Sequence, residues 1–194
     1  MKRVLVTGGT GVTGVALIRY LLQKGIEVIA LLRRNSPRER YLPDDQRLHI
    51  VYCNMGDYLN IGAALREYTP IDVFFHLAWE GSRIVDKIGS RDNMPLQAMN
   101  IVHTINAVEL CHQIECPCFV MTGSQAEFGK ADMILNEEMK SVPVNGYGSA
   151  KLCAETMTRI MCKNYEIFKY CFIELLNALL NNSGLFTTLL KSLE

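Results

Sequence analysis

The residues Thr7-Gly8-Gly9-Thr10-Gly11-Val12-Thr13-Gly14 constrain this chain more than any other segment. They follow an apolar run, Arg3–Thr7, that reads as a buried strand, and they open Val12–Lys24, whose apolar residues recur at helical spacing. Each glycine meets a separate demand of one turn. Gly8 permits a tight strand-to-helix reversal, Gly11 lets backbone approach a bound anion, and Gly14 allows close packing of helix on strand. The helix start presents unpaired N–H groups and the positive end of a dipole. Strand, turn and helix in that order describe a cradle for a dinucleotide pyrophosphate, with Thr10, Val12 and Thr13 lining it beside the glycines.

Further along, apolar runs at Glu27–Leu32, Leu48–Cys53, Val73–Leu77, Cys118–Thr122 and Tyr170–Leu176 alternate with segments of helical period at Ile61–Tyr68, Pro95–Gln113 and Tyr147–Asn164. That alternation predicts an α/β fold, a Rossmann-like doubly wound parallel sheet. Arg33–Asp45 and Lys130–Asn145 read as exposed loops. The chain has 194 residues, 49% of them apolar, and no linker divides it, so one ordered domain is expected. Twenty Lys and Arg balance twenty Asp and Glu without a block of like charge. No cationic face is therefore expected, which argues against nucleic acid or anionic lipid as partner. No apolar stretch approaches the roughly 20 residues of a membrane helix, and no signal segment is read at the N-terminus, so a cytoplasmic location is expected. Seven cysteines, an odd number scattered along the chain, read as reduced thiols. Cys111-His112, Cys116 and Cys118 lack the paired spacing of a zinc site and read as small buried hydrophobes, so no metal is expected.

The end of the second strand bears on which dinucleotide is meant. A carboxylate there would bind a ribose 2′-hydroxyl, and a basic group would accept a 2′-phosphate. The strand ends Leu32-Arg33-Arg34 with no carboxylate, so Arg33 and Arg34 predict NADP, with NAD as the alternative. Two other segments carry chemistry. Tyr147 and Lys151 stand four apart at a helix start and share one face, and Ser124 follows the fifth strand. An ammonium near a phenol stabilises the phenolate, so Lys151 is expected to lower the pKa of Tyr147, while Ser124 orients a substrate oxygen toward the Tyr147 hydroxyl.

Several motifs in order then carry a resemblance. These are the glycine turn, Gly56-Asp57-Tyr58, His76-Leu77-Ala78-Trp79, Asn100, Gly123-Ser124-Gln125-Ala126-Glu127-Phe128-Gly129, and Tyr147 to Lys151 with Glu155. Over residues 1–173 the chain resembles the N-terminal, cofactor-binding part of an extended short-chain dehydrogenase/reductase of the NAD(P)-dependent epimerase/dehydratase family. The resemblance implies that Asp57 and Tyr58 contact the adenine, that Leu77 and Ala78 line the cofactor near its ribose, and that Ser124, Tyr147 and Lys151 form the catalytic set, the last two also touching cofactor. It implies an enzyme transferring hydride between nicotinamide and a nucleotide-activated sugar, as an epimerase, dehydratase or reductase, with Glu80–Arg83 and the 130–145 loop facing the sugar. It also implies a homodimer paired through Pro95–Gln113 and Tyr147–Asn164. Residues 1–176 would be the Rossmann domain and 177–194 a short remnant of a substrate lobe that is largely missing, since Glu174 stands where the family has an arginine and its Gly-Pro turn is absent. A non-catalytic NADP(H)-binding or sensor module is the competing reading. His76 reads as a structural, hydrogen-bonded histidine, Asn100 as either a buried amide or a functional one, and His103 and His112 receive no role.

Overall fold

The computed structural model describes residues 1–82, 90–129 and 139–172, with backbone alone at 169–172. Six parallel strands form one sheet: β1 (Arg3–Thr7), β2 (Glu27–Leu32), β3 (Leu48–Tyr52), β4 (Val73–His76), β5 (Cys118–Thr122) and β6 (Phe168–Phe172). Their order is β3-β2-β1-β4-β5-β6, so the chain winds outward in both directions from β1. Helices α1 (Val12–Gln23), α2 (Gly62–Leu65), α3 (Met94–Gln113) and α4 (Gly146–Asn164) occupy the connections. Among the described residues no helix is long and apolar enough to cross a membrane.

Alternation along β1 fixes the two layers. Val4 and Val6 pack with Leu17, Ile18, Leu21 and Leu22 of α1 on one face, while Leu5 packs with Phe74, Phe119, Ala107, Val108 and Ala154 on the other, beneath α3 and α4. Val4, Leu5 and Val6 are all fully buried, as expected of a central strand covered on both faces. Cys111, Cys116 and Cys118 belong to these cores as buried unpaired thiols, and burial pushes the Cys118 thiol up to about 12.

The element ends are set by local chemistry. α3 starts where Asn93 Oδ1 accepts from the Leu96 N–H at 3.2 Å with Pro95 in the first turn, and α4 starts where Asn145 Oδ1 accepts from the Gly148 N–H at 2.8 Å. Two elements differ from the periodicity. The helix expected over 61–68 is one α-turn, Gly62–Leu65, followed by a 3₁₀ turn, because Leu65 is its one fully buried side chain, Ile61 and Tyr68 being only partly covered, and Pro70 lies just beyond. The sixth strand begins two residues earlier than expected, since the Phe168 N–H pairs with the Pro117 carbonyl and Phe168 stands opposite Cys118, although its side chain is exposed. The remainder of the expected strand, the boundary at 176 and the segment 177–194, including Glu174, lie outside the described residues.

Candidate active site

In a sheet that winds both ways from its centre, ligands sit at the strands' carboxyl ends where the order reverses. Here that point lies between β1 and β4, and a cleft of about 1480 Å³ opens over it. It exceeds the roughly 300–1,000 Å³ of a small-ligand pocket, which leaves room for an extended dinucleotide and a second molecule.

Its floor at one end is the glycine turn. Gly8 has φ +69°, and a Cβ there would lie 2.6 Å from the Leu77 carbonyl carbon. A Cβ on Gly14 would lie 2.3 Å from the Gly8 oxygen, so Gly14 is buried beneath the turn while Thr10, Gly11, Val12 and Thr13 face the cleft. The first turn of α1 holds no acidic residue and Gly11 offers no capping side chain, which leaves its N–H groups to an incoming anion.

The end of the cleft beside β2, where the sequence predicts adenosine contacts, is rearranged relative to expectation. Arg33 lines the cleft, together with Ser36 and Arg38, and Ser36 Oγ donates to Thr10 Oγ1 at 3.4 Å. Arg34 does not join them. Its guanidinium lies 4.8 Å over the Tyr52 ring at a neighbouring cavity of about 240 Å³, which it shares with Asp57. The pair expected from sequence, Arg33 with Arg34, is thus replaced by Arg33 with Arg38, because successive residues at a strand end point to opposite sides. Asp57 likewise borders the smaller cavity rather than the cleft, whereas Tyr58 is buried in the cleft wall with its hydroxyl on Thr7, and burial raises its pKa.

Leu77 and Ala78 line the middle of the cleft. Below them His76 is fully enclosed: Thr7 Oγ1 lies 2.9 Å from Nδ1 and Thr104 Oγ1 3.3 Å from Nε2. Because Thr104 spends its only proton on the Asn100 carbonyl at 2.8 Å, Nε2 must carry the ring proton and Nδ1 must accept from Thr7. Burial, assisted by the Lys151 charge, lowers the His76 pKa to about 3, so the ring stays neutral. Thr7 is then placed to accept from the Ala78 N–H at 3.4 Å. The structural reading of His76 therefore agrees with its surroundings. Asn100 is buried and clamps the backbone of Glu80, accepting from its N–H at 3.0 Å and donating to its carbonyl at 2.9 Å, which orders the loop after β4. His103, given no role from sequence, lines the cleft, while His112 stacks on Tyr165.

At the other end Ser124, Tyr147 and Lys151 come together. Ser124 is held as the N-cap of a 3₁₀ turn, its Oγ accepting from the Ala126 N–H while Glu127 Oε1 accepts from the Ser124 N–H at 2.6 Å. Its hydroxyl also bonds Tyr147. Lys151 is buried, donates to the Thr122 carbonyl at 2.9 Å and lies 3.9 Å over the Trp79 ring. The phenol of Tyr147 is raised, not lowered. Burial is the largest influence, the Ser124 hydrogen bond and the Arg91 charge oppose it, and Glu127 adds to it. Arg91 is thus a cation that pulls the phenol down, and the four-residue spacing of Tyr147 and Lys151 does not reveal it. Trp79 and Arg91 were missed as site residues. Trp79 sits edge-on to Tyr147 at 6.0 Å, and its position after His76-Leu77-Ala78 was the available signal. Of the predicted sugar-facing segments, Glu80–Ser82 and Val144–Asn145 reach the cleft or its rim, while Arg83 and residues 130–138 lie outside the described residues.

A doubly wound parallel sheet with a glycine cradle at its switch point and a Ser-Tyr-Lys group facing it defines an α/β dinucleotide-binding protein. The chain belongs to the NAD dependent epimerase/dehydratase family, whose model matches residues 4–186. It is 28% identical over 177 residues to UDP-arabinose 4-epimerase 1 of Arabidopsis thaliana, covering 86% of this chain and 41% of that one. It is 25% identical over 178 residues to a GDP-mannose 4,6 dehydratase of Cricetulus griseus, covering 86% and 48%. Its fold matches that of a UDP-glucose 4-epimerase of Thermus thermophilus, solved in complex with NAD, with a TM-score of 0.76, 23% identity, and coverage of 87% of this chain and 53% of that one. The chain thus spans two fifths to about half of the length of these relatives.

Proposed function

We propose that this chain is the cofactor-binding part of an NADP-dependent enzyme of the epimerase/dehydratase type acting on a nucleotide-activated sugar. One observation carries the reading: the hydrogen-bonded pair Ser124 and Tyr147 faces the same cleft as the glycine turn, so an acid/base and a pyrophosphate cradle share one cavity. The residues present fit a dinucleotide, since the turn has no room for a Cβ at Gly8 or Gly14 and the α1 N–H groups are uncapped. NADP is favoured over the NAD held by several relatives because Arg33, Ser36 and Arg38 border the cleft on the adenosine side and no carboxylate stands at the end of β2.

When bound, the nicotinamide supplies hydride acceptance and return. Ser124 would hold the reacting sugar oxygen by a hydrogen bond, and Tyr147 would exchange a proton with that oxygen as the hydride moves at the attached carbon. A phenol is protonated at neutral pH and burial disfavours its ionised form further, so the free protein is set to donate that proton; accepting one requires cations at the site to stabilise the phenolate. Lys151, buried at the floor between Thr122 and Trp79, would serve as one such cation and as a donor to the cofactor.

Melting of the chain with NADP⁺, with NAD⁺ and without ligand tests the cradle, since a ligand bound to the native state alone raises the midpoint. Turnover is then read by proton NMR on UDP-sugars, the substrate class of the epimerase relatives. Tyr147→Phe should keep the cofactor shift and lose about 10²-fold or more in rate. Binding without turnover of any sugar nucleotide would favour the sensor module instead.

A homodimer is part of the proposal. α3 and α4 lie side by side and expose Met99, Val102, Met157 and Ile160, a set of large apolar side chains suited to pairing about a two-fold axis. None of the six described cysteines forms a disulfide, which fits a reducing, cytoplasmic compartment.

A further inference from the structure

We propose that Arg91, in the turn that leads into α3, is a positioning residue for the acid/base: its guanidinium lies over the face of Tyr147 and favours the phenolate. The inference rests on the reading of Tyr147 as the proton-exchanging group.

Three observations carry it. The guanidinium carbon of Arg91 sits 4.6 Å from the centre of the Tyr147 ring, within the range at which a cation is attracted by an aromatic face. Ionisation of the phenol spreads negative charge over that ring, so the same contact strengthens as the proton leaves. Second, Arg91 is held there by backbone. Asp92 Oδ1 accepts from the Gly146 N–H at 2.8 Å, and a Cβ on Gly146 would lie 3.0 Å from the Arg91 carbonyl oxygen, so this turn is tied to the residue that precedes Tyr147. Third, Arg91 borders the cleft, and its Nε is shielded from water with no partner among the described residues, so part of the cation's hydration has been lost without a compensating hydrogen bond. A partly dehydrated cation interacts more strongly with a nearby developing anion.

Arg91 acts among other groups that face Tyr147. Ser124 is neutral and bonds the hydroxyl, Glu127 on the turn after β5 opposes ionisation, and Lys151 on α4 lies against Trp79 and the Thr122 carbonyl. A guanidinium keeps its charge over the whole working range, so its effect does not titrate away. Arg91 thus adds to the Tyr-x-x-x-Lys pair a second cation, set on the ring face of the phenol, while Lys151 lies at the cleft floor.

The test places 3,5-difluorotyrosine at position 147 of the full chain and follows its fluorine resonance through a pH titration, in the native background and with Arg91→Gln or Arg91→Lys. In R91Q the midpoint should move to higher pH, the ionised fraction at fixed pH falling about tenfold, with R91K between the two. Coincident midpoints for R91Q and the native background, with unchanged circular dichroism, would overturn the inference. Should R91Q fail to fold, R91K decides: it keeps a charge but loses the stacked plane, and a midpoint equal to the native one overturns the proposal. The titration needs no substrate. An unmoved midpoint leaves the acid/base reading of Tyr147 standing, whereas loss of that reading would be seen in the turnover of Y147F with the titration unaffected.

Discussion

Replacing Gly14 with alanine sets helix propensity against sterics. In an open helix alanine is favoured over glycine by about 1 kcal/mol. Gly14 lies in the first turn of α1, but a Cβ there would stand 2.3 Å from the Gly8 oxygen, 2.7 Å from the Gly9 Cα and 2.9 Å from the Gly8 carbonyl carbon. Ordinary contact begins near 3.4 Å, so the overlap with Gly8 oxygen is more than 1 Å, and every atom involved is backbone. Overpacking costs about 1–3 kcal/mol where side chains can yield. The upper end applies where they cannot, leaving a net loss of about 2 kcal/mol or more after propensity is credited. For a domain of this size that is a fall of about 4–8 °C in the melting temperature. The upward shift with NADP⁺ should shrink as well, because relief of the clash must move the turn that forms the cradle. Gly62→Ala is the control: its new Cβ meets the Gln113 side chain, an exposed group able to move, so stability should be unchanged or slightly higher. A melting temperature for G14A at or above that of the native chain would refute the reasoning.

Three further outcomes are expected. His76 is neutral when folded, with its pKa lowered to about 3, so the unfolded chain binds the extra proton as pH falls below about 6.5 and stability drops in that direction. His76→Asn should flatten the slope of unfolding free energy between pH 6.5 and 5 by about 1 kcal/mol per pH unit in urea titrations, and an unaltered slope would count against a neutral buried ring. Arg33→Ser should weaken NADP⁺ binding by about tenfold or more, as expected for loss of a charge-assisted contact, and leave NAD⁺ within about twofold; equal losses in calorimetry would remove Arg33 from 2′-phosphate recognition. Ile160→Glu, on the exposed face of α4, should convert a dimer to monomer in sedimentation velocity, and a native chain that already sediments as monomer defeats the dimer proposal.

The sequence by itself determined the sheet and the cradle, because both are written in short-range pattern. Strand runs with covered faces, helices between them and glycines at fixed offsets after β1 lead to the parallel order and to the turn that a Cβ would block. Ser124, Tyr147 and Lys151 were legible as a group for the same reason: each sits at a recognisable strand or helix end. Tertiary structure alone decided what acts on them. Arg91 and Tyr147 are 56 positions apart and Trp79 and Tyr147 are 68 apart, and no local period links them; they meet because β4 and β5 are neighbours and α3 packs along α4. Spacing showed that Lys151 shares a helix face with Tyr147, but not that its ammonium would be drawn to the Thr122 carbonyl and the Trp79 ring. Composition marked the basic loop after β2, while only the packing of Tyr52 beneath Arg34 decided that Arg38 would stand in its place beside Arg33. Charges act through space, and the distances between these groups follow from the way the layers pack.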